Sequence, residues 1–252
     1  MIPTILRRAL AALALAALPA LVHAQQLTIA AAASLTESFQ EIGRRFEAAH
    51  PGATLRFDFG ASGVLLQQIT QGAPVDVFAS ADAETVDRGV RARLLDASTR
   101  RDFAANTLVL VVPASGPAVV ARLEDLAAPA VRRVAIGKPA TVPVGRYTRQ
   151  ALEAAGLWAM VEPKAVHADS VRQVLEYVSR GEVDAGFVYR TDAEVAKGSV
   201  RTVAAPGGHT PMVYPAIVVS GSRQPALARA FVSFLATPDA QAVLARAGFA
   251  SP

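Results

Sequence analysis

Four places in the sequence combine residue types and spacing that could do chemistry: Ser34, Ser62, the stretch Pro143-Val144-Gly145, and Asp169-Ser170-Val171. Each follows a short apolar run and opens a helical pattern. A helix start leaves backbone N–H groups without partners and carries a partial positive charge, so several starts brought together make an anion site of neutral donors. Taken singly they say less. Serine is among the commonest helix caps, and Asp169 or Ser170 reads as a cap rather than a ligand. Tyr189, at the end of the apolar run from Val183, reads as a core aromatic whose hydroxyl is tied to the backbone.

The elements that must position these groups alternate between strand and helix. Leu27 to Ala31 suits a buried strand, and Ser34-Leu35-Thr36-Glu37 has the Ser-x-x-Glu form of a capping box opening a helix to Ala49. Leu55, Phe57 and Phe59 alternate with Arg56 and Asp58, the period of a strand covered on one side. Gly60-Ala61-Ser62-Gly63 then turns into a helix closed by Gly72. Further strands are expected over 75–79, 108–112, 134–137, 164–166, 183–189 and 214–219, with helices over 82–94, 145–155, 171–180, 225–235 and 238–247. This order predicts an α/β fold with mostly parallel sheets. Ligands of open α/β sheets bind beyond the carboxyl ends of the strands, where the four junctions lie. The strands at 108–112 and 214–219 are candidate crossings between two lobes, 25–105 plus 217–252 and 106–216.

Composition removes several function classes. The 252 residues include no cysteine, which excludes disulfides, thiolate metal sites, a cysteine nucleophile and a lipid-carrying N-terminal cysteine. Arg7 and Arg8, the apolar run from Ala9 to Leu18, and Val22-His23-Ala24 form the pattern of a cleavable secretory signal over 1–24. Its removal takes two arginines from a net charge of +4, and no Lys/Arg cluster interleaved with aromatics marks a nucleic-acid surface. His50, His167 and His209 are far apart, so a cation site has no ligand spacing. Gly60-Ala61-Ser62-Gly63-Val64 misses the last glycine of the Gly-x-Ser-x-Gly hydrolase turn, and Glu124-Asp125 reads as a solvated helix start. No phosphate-binding loop occurs, so any energy from ATP must come from a partner. These features predict an exported, periplasmic protein without a cofactor and without catalytic residues; a serine hydrolase is the alternative from another class.

Several separated blocks, in order, carry a resemblance. Ala31-Ala32-Ala33-Ser34-Leu35, the run from Gly72 to Asp82, the run from Val142 to Tyr147, Asp169-Ser170-Val171-Arg172 and Gly186-Phe187-Val188-Tyr189 together resemble the periplasmic molybdate-binding proteins of ABC importers. The resemblance spans 25–252. It implies a two-lobed type II periplasmic-binding fold that closes on molybdate or tungstate, delivered as a monomer to a membrane permease with a cytoplasmic ATPase. Ser34 and Ser62 match the family's serine ligands, Val144 and Val171 its backbone N–H donors, and Tyr189 its tyrosine hydroxyl. Molybdenum would then be held through its oxygens. The chain departs from the family's pattern in Gly137-Lys138-Pro139-Ala140-Thr141, which lacks the usual acidic residue and histidine, and in the valine at 144. Lys138 is a candidate for strengthening anion capture through its field. A site of donors disfavours a protonated oxyanion; sulfate, fully deprotonated, is the alternative cargo.

Overall fold

The computed structural model describes residues 25–116 and 119–252; the expected signal at 1–24 lies outside them. These described residues form two five-stranded mixed sheets flanked by helices. In the first, β1 (Gln25–Ala32), β2 (Ala53–Gly60) and β3 (Val77–Ala79) run parallel. They are joined by β10 (Val213–Val218) and β4 (Arg101–Ala105), in the order β2-β1-β3-β10-β4, with β10 antiparallel to both neighbours. The second has the same plan: β6 (Val134–Gly137), β7 (Ala165–Ala168) and β8 (Ala185–Tyr189) are parallel. Here β5 (Leu108–Pro113) is the antiparallel member and β9 (Val200–Ala204) the edge, giving β7-β6-β8-β5-β9.

The chain leaves the first sheet at Asn106–Thr107 and returns along 205–212. All of β10 lies in the first sheet, so the return precedes the expected boundary at 216/217. The strands at 108–112 and 214–219 therefore follow the crossings and lie within single sheets. β4 and β9 have no counterpart among the expected strands. Each is five residues long and lacks alternation, with two exposed residues beside buried ones.

The described residues form nine α-helices: α1 (Thr36–Ala49), α2 (Ser62–Thr70), α3 (Ala83–Arg91), α4 (Pro143–Ala154), α5 (Trp158–Val161), α6 (Val171–Ser179), α7 (Arg190–Val195), α8 (Pro225–Phe234) and α9 (Pro238–Arg246). Helix α1 buries Phe39, Ile42 and Phe46, residues spaced by three or four, against β2, α8 and α9. Helix α4 starts unusually close to β6. A Cβ on Gly145 would fall 1.9 Å from the Gly137 carbonyl oxygen, so only glycine permits this seat.

The apolar core runs without interruption from the first lobe into the second. A smaller cluster, with Leu65, Ile69, Phe78 and Val86, lies beneath α2 and α3. Among the described residues no helix is long and apolar enough to cross a membrane.

Candidate functional site

Ser34, Ser62, Val144, Val171 and Tyr189 line one small cavity, together with Ala61, Ala81 and Pro143. All five are buried. Four follow the carboxyl end of a parallel strand, β1, β2, β6 and β7 in turn, and Tyr189 is the last residue of β8. The space is far smaller than the several hundred Å³ typical of pockets for drug-sized ligands. A wider groove on the first lobe, beside Thr28, Asp76, Arg93 and Arg223, is remote from these strand ends. There the Asp76 carboxylate is already matched by Thr28 N–H, Ser222 Oγ and Arg223 N–H.

The two serines do not cap their helices. Helix α1 begins after Leu35, α2 after Ala61, and neither receives a side-chain cap. The expected capping box therefore does not form. Ser34 Oγ lies 3.1 Å from the Tyr214 hydroxyl, and Glu37 turns outward to a bidentate pair with Arg172 of the other lobe at 2.6 and 2.9 Å. Ser62 Oγ accepts from Ala81 N–H at 3.1 Å, which leaves the serine's own proton to donate elsewhere. Ser170, by contrast, is the expected cap, accepting from Gln173 N–H at 3.2 Å.

The second lobe presents backbone donors. Proline at 143 has no N–H, and Gly145 N–H is used by Val142 O at 2.9 Å, so Val144 carries the N–H left over in the first turn of α4. Val171 is the first residue of α6. Among the described residues the N–H groups of Ser62, Val144 and Val171 have no acceptor in the protein. Tyr189 Oη is buried and has no hydrogen-bond partner, against the expectation that it would be tied to the backbone. Burial pushes this hydroxyl well above its ordinary pKa of 10, so at neutral pH it is protonated and a donor. An unpaired buried hydroxyl costs on the order of 1–3 kcal/mol. Its position on this cavity fits an acceptor supplied from outside the protein.

The lobes also grip each other beside the cavity. Gly63 N–H donates to Thr141 O at 3.0 Å, and a Cβ on Gly63 would lie 2.6 Å from that oxygen. Arg146 on α4 reaches the first lobe, pairing with buried Asp82 through Nε (3.1 Å) and Nη2, and donating to Thr85 Oγ1 at 2.8 Å. Asp82 also caps α3 and accepts from Ser80 Oγ, which accounts for the Ser80-Ala81-Asp82 run without a ligand role. Arg172 Nε stands 3.0 Å from Asp192 Oδ1, close enough for an ion pair but not aligned for a hydrogen bond. Burial raises Asp192 to about 7 despite the pull of Arg172.

Neither arginine has a local signature in the sequence, since the cross-lobe partners Asp82, Thr85 and Glu37 are more than 60 residues away. Lys138 pairs with exposed Asp169 at the surface, so its charge is locally balanced and it is not among the residues lining the cavity. Among the described residues no group of three or more His, Asp or Glu side chains could hold a metal cation.

Residues 27–250 match the model of the bacterial extracellular solute-binding proteins. Molybdate-binding protein ModA of Mycobacterium tuberculosis H37Rv is 38% identical over 230 residues, covering 91% of this chain and 86% of the relative. Molybdate-binding protein ModA of Escherichia coli K12 is 35% identical over 236 residues, 91% of each. Among solved structures, the periplasmic molybdate-binding protein of Azotobacter vinelandii superposes with a TM-score of 0.76 at 25% identity, over 90% of this chain and 99% of that one. The sulfate-binding protein SubI of M. tuberculosis H37Rv reaches 0.79 at 21% identity, over 90% and 87%, a likeness of fold alone.

Proposed function

This chain belongs to the bacterial extracellular solute-binding proteins and, within them, to the ModA-type proteins, and from that membership we propose that it captures molybdate, and tungstate with it, for an ABC importer. It works outside the cytoplasmic membrane after loss of the 1–24 signal, as a monomer, and hands the anion to a permease powered by a separate ATPase. The ligand set is Ser34 and Ser62 through hydroxyl and backbone N–H, Val144 and Val171 through N–H, and Tyr189 through its hydroxyl. The observation that carries the site is the Tyr189 hydroxyl, buried, protonated and without a partner on the cavity that the other four also line.

A dianion held by neutral donors gains charge-assisted hydrogen bonds, while the starts of α2, α4 and α6 supply the field. No cofactor and no catalytic group enters this reading. Binding is the whole of the activity. The lobes are 25–105 with the C-terminal part of the chain, and the segment between the crossings at 106–107 and 205–212. They close as bodies about those crossings. Donors from both lobes converge only in the closed form, so the anion shifts the population toward it, and the permease reads that form.

Thermal unfolding of the mature, ligand-stripped protein tests the reading with molybdate, tungstate, sulfate and phosphate in parallel. At a hundredfold excess over Kd a ligand adds about 2.7 kcal/mol, a rise in Tm of roughly 5–11 °C for a chain of this size. Rises with molybdate and tungstate and none with sulfate or phosphate are expected. A rise with sulfate of equal size makes the protein a general tetrahedral-dianion carrier, and no rise with any anion overturns the reading.

A further inference from the structure

Behind Ser34 lies a chain of hydrogen bonds whose direction can be worked out from one end. Asn106, at the first crossing between the sheets, accepts from Thr107 N–H through Oδ1 at 2.9 Å. A backbone N–H can only donate, so the Asn106 amide is oriented and its Nδ2 is the donor toward the other side. Nδ2 reaches Thr191 Oγ1 at 2.9 Å and Tyr214 Oη at 3.3 Å. Tyr214 is fully buried, and its phenol oxygen has one proton and, in the ring plane, one principal acceptor position. With the acceptor position taken by Asn106, the phenol proton is directed at Ser34 Oγ, 3.1 Å away. Ser34 therefore accepts from behind and keeps its own proton for the cavity.

We propose that Asn106 and Tyr214 are positioning residues that set the Ser34 hydroxyl as a donor toward the anion, and so determine the affinity of the site. The proposal rests on Ser34 being a ligand. Reversed, the same chain would let Ser34 donate to Tyr214 and turn lone pairs toward an anion. The arrangement also ties ligation to lobe geometry. Asn106 Nδ2 bridges Thr191 of the second lobe and Tyr214 of the first, while Asn106 N–H donates to Met212 O in the returning segment at 3.2 Å. A change of angle at the crossings that breaks this bridge removes the constraint on the Tyr214 proton, so the donor at Ser34 is fully set when the lobes stand as they do here. Ser62 reaches the same polarity by a shorter route, from Ala81 N–H.

The test is a double-mutant cycle read by calorimetric titration with molybdate on the mature chain. Tyr214→Phe keeps the ring and deletes the phenol oxygen. It is expected to weaken binding roughly tenfold in the wild-type background, the scale of one hydrogen bond to a charged group, and less than about twofold in a Ser34→Ala background, where no hydroxyl remains to orient. Asn106→Asp supplies a second variant of the same shape. It accepts the Tyr214 proton, reverses the chain, and should show a Ser34-dependent loss on top of a charge effect that persists in Ser34→Ala. Unliganded Tm, measured for each variant, identifies one that fails to fold; the cycle is then read from the other. Equal losses in both backgrounds, or none, overturn the relay while leaving the binding function intact. Failure of the wild-type protein to bind molybdate overturns the functional reading, and the relay with it.

Discussion

The two lobes share one strand order yet equip the cavity differently. In the first, β1 and β2 lead to Ser34 and Ser62, side-chain hydroxyls whose direction is set by neighbours, Tyr214 and Ala81 N–H. In the second, β6 and β7 lead to Val144 and Val171, whose N–H groups are aimed by the helix starts themselves, and β8 ends at a phenol with no protein partner. The interiors differ in the same sense. Nine of the ten phenylalanines lie in the first lobe, where Phe39, Phe46, Phe103 and Phe231 pack edge to face or tilted. The second lobe is filled mainly by Val, Leu and Ala, and the start of α4 lies against β6 at Gly145 and Gly137. One half thus depends on side-chain networks that point changes can break, the other, Tyr189 aside, on backbone geometry that they do not reach.

The largest expected effect breaks the contact between the halves. Arg146→Met leaves Asp82 buried without its partner in the closed form, a loss of about 3–5 kcal/mol. Molybdate affinity by titration should fall by more than a hundredfold, with a smaller change in unliganded Tm because opening rehydrates Asp82. An unchanged Kd would mean that the ion pair contributes nothing to closure.

The comparison is sharpest at the ligands. Ser62→Ala removes a donor to the anion and leaves Ala81 N–H unpaired, a loss of about 2–3 kcal/mol in binding. Val171→Ala and Val144→Ala keep the N–H, so Kd should stay within about threefold even though truncating Val144 opens a cavity and lowers Tm. If the valine variants lose as much affinity as Ser62→Ala, the division between side-chain and backbone ligation fails. Tyr189→Phe strands no protein group, so its cost is expected at the low end, about 1.5 kcal/mol of binding free energy. No change by titration would remove its hydroxyl from the ligand set.

The smallest effect concerns pH. Asp192 holds its proton in the folded chain up to about 7 against an ordinary 3.8 when unfolded. Between those values the native state binds more protons, so this group's contribution is full below 3.8 and is lost as pH rises through 7. Unliganded Tm should therefore fall from pH 5 to 8 more steeply in the wild type than in Asp192→Asn. Parallel profiles would show that the carboxylate is already ionised beside Arg172.

Much of this was legible along the chain. Apolar runs, periodicity and glycine stops located the strands and helices that carry all five cavity residues, because those signals act within a turn or two of the residue concerned. The strands at 101–105 and 200–204 were not legible, being short, half exposed and held in place by pairing with β10 and β5. The Ser34-x-x-Glu37 pattern misled for a related reason: local capping competes with tertiary partners, and Tyr214, 180 residues away, and Arg172 of the other lobe won.

From the sequence alone came the alternating α/β order, the absence of thiol chemistry, the five junction residues and, through resemblance, the molybdate-binding family. Those depend on local stereochemistry and composition, which travel with the chain. Only the tertiary structure decided which hydroxyls are free of capping, that Tyr189 Oη is left without a partner, that Lys138 is spent on Asp169, and that Arg146 and Arg172 join the lobes. Each is a competition for hydrogen bonds and charge among groups far apart in sequence, and its outcome exists only once the two sheets have brought their strand ends together.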